Sequence, residues 1–335
     1  MSVTTASTYP ISGQLTEPTI HPVHLPRSRV KQSLIIYITS VTGILLLAVL
    51  VFHAYMAWTL ARPTIEHLQS NPALKLGLAY EDVTIPSANA KTSVEGWFIP
   101  THSKKSIVFS HGYGANREEV WVPIYKLASE MNARGYNVLM FDYGYAHAGG
   151  NQLMTGGKQE SQELLGAIQF LKDRGMEQVY VWGFSMGAGT ALQAALLEPA
   201  IDGMILDSTF ILNSDTLYHN VKQIVNLPKY PTVPLVQMFS SILNGVGFKD
   251  IPSERILTKS FDIPIMMIHG DQDERAPYEL AEEIAANQTN PLSRVWIVPG
   301  ATHELIYQTR AEAYLEQSSG FLNDLAKDNL NLALQ

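Results

Sequence analysis

Gly183-Phe184-Ser185-Met186-Gly187 sets a serine between two glycines. It follows the apolar run Val179–Trp182 and precedes the small, Ala-rich stretch Ala188–Leu197. A strand, a sharp turn and a helix in that order form the setting of a nucleophile elbow. A serine hydroxyl attacks poorly by itself. It needs a base to take its proton, a group to hold that base, and donors for the oxyanion of the transition state. His303, in Gly300-Ala301-Thr302-His303, stands in a loop after the last expected strand and is the candidate base. Asp273 follows the preceding expected strand in His269-Gly270-Asp271-Gln272-Asp273 and is the candidate orienting acid. Asp271 and Asp207 compete for that role, with Asp207 the runner-up because it also ends an expected strand. The chain order is then Ser185, Asp273, His303, one of the orders in which such triads occur. The backbone N–H of Met186, at the start of the elbow helix, is one expected oxyanion donor. The N–H of Tyr113, in the loop after Ser106–Ser110, is the other. His111 and His269 each precede a glycine at a strand end and read as residues that shape loops, and His147 reads as a loop residue.

The elements that must carry these groups follow from the apolar pattern. Strands are expected at Tyr80–Ile85, Ser93–Ile99, Ser106–Ser110, Asn137–Phe141, Val179–Trp182, Gly203–Leu206, Ile263–His269 and Arg294–Val298. Helices are expected at Trp121–Arg134, Gln159–Lys172, after the elbow, at Tyr278–Ala286 and at Glu304–Leu325. Short apolar strands alternating with amphipathic helices predict a mostly parallel sheet covered on both faces. Ligands of such sheets bind beyond the carboxyl ends of the strands, where every polar cluster named above falls. Thr209–Lys259 breaks the alternation. It is apolar and interrupted by Pro228, Pro231, Pro234 and Pro252, which predicts a small helical lid over the strand ends.

No Asp, Glu, Lys or Arg occurs between Gln32 and Ala61. Leu34–Phe52 is long enough as a helix to cross the hydrocarbon core, about 30 Å thick. Arg27, Arg29 and Lys31 precede it and only Arg62 follows closely. Flanking positive charge stays in the cytoplasm, so the N-terminus is expected inside and the chain beyond Ala61 outside. His53, Tyr55 and Trp58 fall at the expected outer interface. The apolar run exceeds the core of a cleaved signal peptide, and Ala54-Tyr55-Met56-Ala57 is a poor cleavage site, so an uncleaved signal anchor is expected. The expected organisation is a disordered cytoplasmic tail over 1–32, the anchor over 33–61, a juxtamembrane linker over 62–79 and a catalytic domain over 80–335, with the lid at 209–259.

The 335 residues include no cysteine, and the net charge is −8. The first fact excludes disulfides, a thiol nucleophile and Cys-ligated zinc. The second removes any general attraction for nucleic acid.

The motifs together resemble the serine α/β-hydrolases, in particular the group described as Bem46-like or serine aminopeptidase S33-like. The resemblance rests on HGYGANRE at His111–Glu118, FDYGYAHAGG at Phe141–Gly150, GFSMGAG at Gly183–Gly189, DSTF at Asp207–Phe210, IHGDQDERAP at Ile268–Pro277 and GATHEL at Gly300–Leu305. It covers about Tyr80 to Leu325. It implies the α/β-hydrolase fold, a triad of Ser185, Asp273 and His303, and no cofactor or metal. The N-terminal anchor resembles that of membrane-tethered bacterial members. Two positions depart from the pattern. Tyr143-Gly144-Tyr145 stands where many relatives have an arginine-glycine pair, and Tyr113 replaces a small residue.

The expected function is a membrane-anchored, extracytoplasmic serine hydrolase that cleaves carboxylic esters through an acyl-enzyme. Its expected partners are a small acyl ester as substrate and membrane lipid around the N-terminal helix. A peptidase or amidase, a thioesterase or an acyltransferase of the same fold is the near alternative. A non-catalytic binding module is the alternative of another class.

Overall fold

The structure is a computed structural model that describes residues 27–119, 121–147, 152–197 and 199–333. The chain divides into two compact units, Met1–Val49 and Leu50–Gln335. The first unit is described from the start of helix α1 (Arg27–Leu60), whose side chains from Arg29 to Val49 are all exposed. Most of the expected cytoplasmic tail lies outside the described residues. Its last part does not: the helix begins at Arg27, within the stretch expected to be tail.

In the second unit, α2 (Pro72–Leu76) is the sole helix of the segment between α1 and the sheet. It is followed by β1 (Glu81–Pro86), β2 (Ser93–Ile99), β3 (Lys105–Ser110), α3 (Ile124–Ala133), β4 (Asn137–Phe141) and α4 (Lys158–Asp173). Then come β5 (Gln178–Phe184), α5 (Met186–Ala195), β6 (Gly203–Asp207), α6 (Ser214–Ile224), α7 (Lys229–Asn244) and α8 (Ser253–Thr258). The chain closes with β7 (Ile265–Gly270), α9 (Glu279–Ala286), β8 (Arg294–Val298), α10 (Ile306–Thr309) and α11 (Ala311–Ala333).

The eight strands form one sheet in the order β1-β2-β4-β3-β5-β6-β7-β8. β2 is antiparallel to both β1 and β4, and all the other pairings are parallel. This is the mostly parallel sheet that the strand pattern predicts, and it fits the α/β-hydrolase fold that the motif resemblance implies. Central β5 explains why its sequence reads as a continuous apolar run instead of an alternating one. Val179 and Val181 pack with Leu164 and Ala167 of α4 and Ala188 of α5 on one face. Tyr180, Trp182 and Phe184 pack with Leu127 of α3 and Tyr314 and Phe321 of α11 on the other. A strand covered on both faces has no side on which a polar residue is stable.

The 209–259 insertion is helical, as expected, and built from α6, α7 and α8. Its core is a small cluster of Leu217, Val221, Val233 and Val236 gathered around Ala57 of α1. The final helix differs from expectation. Glu304–Leu325 is not continuous: Glu304 is left-handed at φ 56°, and Arg310 separates α10 from α11. The N–H of Glu304 donates to the Ser208 hydroxyl at 2.9 Å. That bond holds the His303 loop away from the helix axis and against the end of β6.

Candidate active site

Register brings the polar strand ends to one edge. Phe184, the last residue of β5, pairs with Asp207, the last of β6, and β7 ends beside them at Gly270. Ser185 follows β5 with φ 50° and ψ −117°, a conformation that L-residues adopt at a cost of about 1–3 kcal/mol. The surroundings enforce it. The Ser185 N–H donates to Asp207 O at 2.9 Å, and its carbonyl takes the N–H groups of Ala188 and Phe210. A Cβ on Gly187 would lie 2.0 Å from Ser110 O, so only glycine lets α5 leave the turn against β3. The outcome is a hydroxyl lifted from the sheet at the start of a helix, where backbone N–H groups lack intrahelical partners.

The structure brings Ser185, His303 and Asp273 together. Ser185 Oγ lies 2.8 Å from His303 Nε2, and His303 Nδ1 lies 2.7 Å from Asp273 Oδ2. Nδ1 must donate to the carboxylate, which leaves Nε2 free to accept the serine proton. Asp273 Oδ1 accepts the N–H groups of Arg275 and Ala276 at 2.8 Å each. Burial would by itself raise the Asp273 pKa. Hydrogen bonds from His269 and His303 outweigh it and hold the carboxyl well below its usual range.

His269 takes a more specific place than a general loop-shaping one. Its Nε2 lies 2.9 Å from Asp273 Oδ2 and 3.0 Å from Ala276 O. Both of those atoms are acceptors, so Nε2 carries a proton. His269 is a second imidazole on the carboxylate that His303 uses. The His-Gly-Asp-x-Asp spacing is the one trace of this in the sequence, since it places a strand-end histidine four residues before the aspartate.

Asp207 is elsewhere. Its oxygens accept from the Ser208 and Tyr314 hydroxyls at 2.8 and 2.7 Å, beneath the site. Asp271 accepts the Gly300 N–H at 2.7 Å and ties two loops together.

Met186 and Tyr113 both line the cavity that contains Ser185 and His303. The loop carrying Tyr113 is fastened from several sides. His111 Nε2 accepts the Tyr143 N–H at 3.0 Å, which puts the ring proton on Nδ1, where it donates to Gly112 O at 2.9 Å. Burial lowers the His111 pKa, in keeping with a neutral ring. The Tyr145 hydroxyl donates to the same Gly112 O at 3.1 Å. Of the two tyrosines that depart from the arginine-glycine pattern, Tyr145 fastens this loop through its hydroxyl and Tyr143 through its backbone N–H. Arg117 supplies a guanidinium beside them, with Nη2 2.7 Å from Asp142 Oδ2 in a buried pair. Glu119 takes the Gly112 N–H at 2.7 Å, and its carboxyl shares the space under Gly112 with that of Glu304. No sequence signal pointed to these two buried acids.

The cavity over Ser185 holds about 210 Å³. Its walls are apolar, from Met154, Phe210, Leu212, Leu217 and Phe248, and one side is Leu60 and Ala61 at the end of α1. No cluster of metal-ligating side chains exists among the described residues.

The sequence model of the family described as serine aminopeptidase S33 matches residues 101–254. Among curated proteins, the chain is 24% identical over 249 residues to the protein YfhR of Escherichia coli K12, covering 70% of this chain and 78% of that one. It is 25% identical over 268 residues to the lysophosphatidylserine lipase ABHD12 of Danio rerio, covering 72% of this chain and 65% of that one. Among solved structures, the Pyrococcus furiosus esterase Pf2001 superposes with a TM-score of 0.64 at 24% identity, over 79% of this chain and 98% of that one. The Thermogutta terrifontis esterase superposes with a TM-score of 0.51 at 18% identity, over 73% and 99%. The superpositions show that the chain has the α/β-hydrolase fold.

Proposed function

We propose that this protein is a membrane-anchored serine esterase that cleaves carboxylic esters with an apolar acyl chain. The reading rests above all on the continuous relay from Ser185 Oγ through His303 to Asp273, with bonds of 2.8 and 2.7 Å. In this mechanism Ser185 Oγ attacks the ester carbonyl carbon and gives its proton to His303 Nε2. The oxyanion accepts the N–H groups of Met186 and Tyr113. The C–O bond to the alcohol then breaks, His303 Nε2 protonates the departing oxygen, and an acyl-Ser185 remains. Water, deprotonated by the same nitrogen, attacks the acyl carbon and releases the acid and Ser185. Asp273 stabilises the imidazolium formed in each half.

The apolar cavity supports an acyl substrate over a peptide. The esterase and lipase names of the similar proteins point the same way, while the family model's own name keeps an aminopeptidase as the near alternative.

The anchor reading is supported by how the end of α1 is used. Ala57 is fully buried in the lid cluster, and Leu60 and Ala61 wall the cavity. The Ala57 and Ala61 carbonyls accept from Asn244 Nδ2 at 2.8 Å and the Met154 N–H at 3.0 Å. Cleavage near Ala57, as for a leader, would open the cavity. The catalytic domain lies outside the cytoplasm, by the charge bias around the helix.

The test is labelling with a fluorophosphonate probe, together with hydrolysis of p-nitrophenyl acyl esters. Both should be lost in Ser185→Ala while its melting temperature stays close to that of the parent. Labelling of the folded variant would refute the assignment.

A further inference from the structure

Two cavities meet at His303. The apolar one contains Ser185 and Met186. The second, of about 450 Å³, shares His303, Asn220 and Arg275 with it but touches neither of those two residues. Its own walls include Trp121, Gln223, Glu274, Thr302 and Glu304, so charged and polar side chains stand among apolar surface.

The chemistry of an ester divides between them. The acyl carbon must stay on Ser185, and the departing oxygen must receive its proton from His303 Nε2. The alcohol fragment therefore lies on the histidine side of the nucleophile, beside the second cavity.

The backbone that carries the charges there is held in place. His219 Nε2 bonds Glu274 O at 2.8 Å and Asn220 Nδ2 donates to Arg275 O at 2.7 Å, so α6 clamps the backbone of both residues. Neither the Glu274 carboxylate nor the Arg275 guanidinium enters a close ion pair among the described residues, although the Arg275 charge acts on the buried Glu304 carboxyl beside it. Trp121 leaves 46% of its surface exposed, although it is a large aromatic residue. An indole face beside a carboxylate attracts an ammonium group, and a guanidinium holds a phosphate or carboxylate through paired N–H donors.

Position orders these groups. Arg275 borders both cavities, whereas Glu274 and Trp121 border the second one alone. Resting on the esterase reading above, we propose that the second cavity is the alcohol subsite and takes a zwitterionic alcohol. Its anionic group sits at Arg275, next to the scissile bond, and its ammonium sits farther out between Glu274 and Trp121.

The experiment uses the full chain in nanodiscs with three dodecanoyl esters that differ only in the alcohol: glycerophosphoethanolamine, glycerophosphate and glycerol. The zwitterionic ester should exceed the glycerol ester in kcat/KM by about tenfold or more, the scale of one charge-assisted contact. Arg275→Gln should collapse that ratio, chiefly through KM. Glu274→Gln should bring the zwitterionic ester down to the level of the glycerophosphate ester. Equal kcat/KM for all three esters, or ratios unmoved by both variants, would overturn the subsite. p-Nitrophenyl dodecanoate separates the two readings. If it is not hydrolysed, the esterase reading fails. If it is hydrolysed without any preference among the three alcohols, the subsite alone fails.

Discussion

The Tyr113 hydroxyl donates to the Leu60 carbonyl at 3.0 Å. This joins the residue expected to supply an oxyanion N–H to the last turn of the apolar helix, where carbonyls lack intrahelical partners. The contact is not isolated. Asn116 Nδ2 donates to Glu66 O at 2.8 Å, and Glu118 Oε1 accepts the Ser70 N–H at 2.8 Å. The segment after the helix is thus stitched along the loop that follows β3.

Tyr113→Phe removes only the hydroxyl. The lost hydrogen bond is worth about 1 kcal/mol, and the loop should loosen accordingly. We expect kcat on a short soluble ester to fall about threefold to tenfold with KM little changed, since the oxyanion bond exists only in the transition state. An unchanged kcat would show that the tether does not position the donor.

Asp273→Asn should lower kcat by about 10⁴-fold, because the asparagine favours the wrong histidine tautomer. Asp207→Asn should cost far less activity, since Asp207 bonds Tyr314 and Ser208 instead of His303. His269→Ala should fall between them. Steady-state kinetics on one chromogenic ester ranks the three, and a reversal of the first two would make Asp207 the acid.

Glu119 and Glu304 give a pH dependence with a definite sign. A Cβ on Gly112 would lie 2.5 Å from Glu304 Oε1 and 3.3 Å from Glu119 Oε2, so the two carboxyls sit together beneath the loop. Burial raises both pKa values above the ordinary carboxyl range, and the charge of Glu119 raises Glu304 further. The folded state then holds more protons than the unfolded state above the ordinary carboxyl pKa. Their contribution to stability is complete below that value and is lost as pH rises through the elevated folded values. Melting temperature should therefore fall between about pH 5 and about pH 8, and Glu304→Gln should flatten that fall. An identical pH profile in the variant would exclude the pair as its source.

Replacing 209–259 by a short linker should leave Ser185 reactive to a small probe while flattening chain-length preference. β6 ends at Asp207 and β7 begins at Ile265, and the two pair directly, so the sheet does not need the insertion. Phe210, Leu212, Leu217 and Phe248 would be lost from the acyl wall. Each buried methylene is worth about 0.8 kcal/mol, so four carbons of chain should alter kcat/KM by roughly a hundredfold in the parent. The same slope in the shortened protein would place the wall elsewhere.

Protease added to intact spheroplasts should release or digest the catalytic domain, because Arg27, Arg29 and Lys31 precede the span and only Arg62 closely follows it. A fully protected domain would reverse the orientation.

Local pattern carried much of this protein. Strand runs such as Val179–Trp182 are legible because a strand covered on both faces tolerates only apolar side chains. The elbow is legible because Gly183 and Gly187 lie where backbone approaches backbone. Ser185, Asp273 and His303 are legible because a parallel sheet delivers every strand's carboxyl end to one edge. Other features arose only when distant segments met. The choice of Asp273 over Asp207 depends on which loop reaches His303, and strand order decides that. The second imidazole on Asp273, the buried pair Glu119 and Glu304, and the break at Glu304 come from contacts across long sequence separations. So does the use of Leu60 and Ala61 as a cavity wall. An apolar helix end reads the same whether it faces lipid or protein, and only the packed structure decides which neighbour it has.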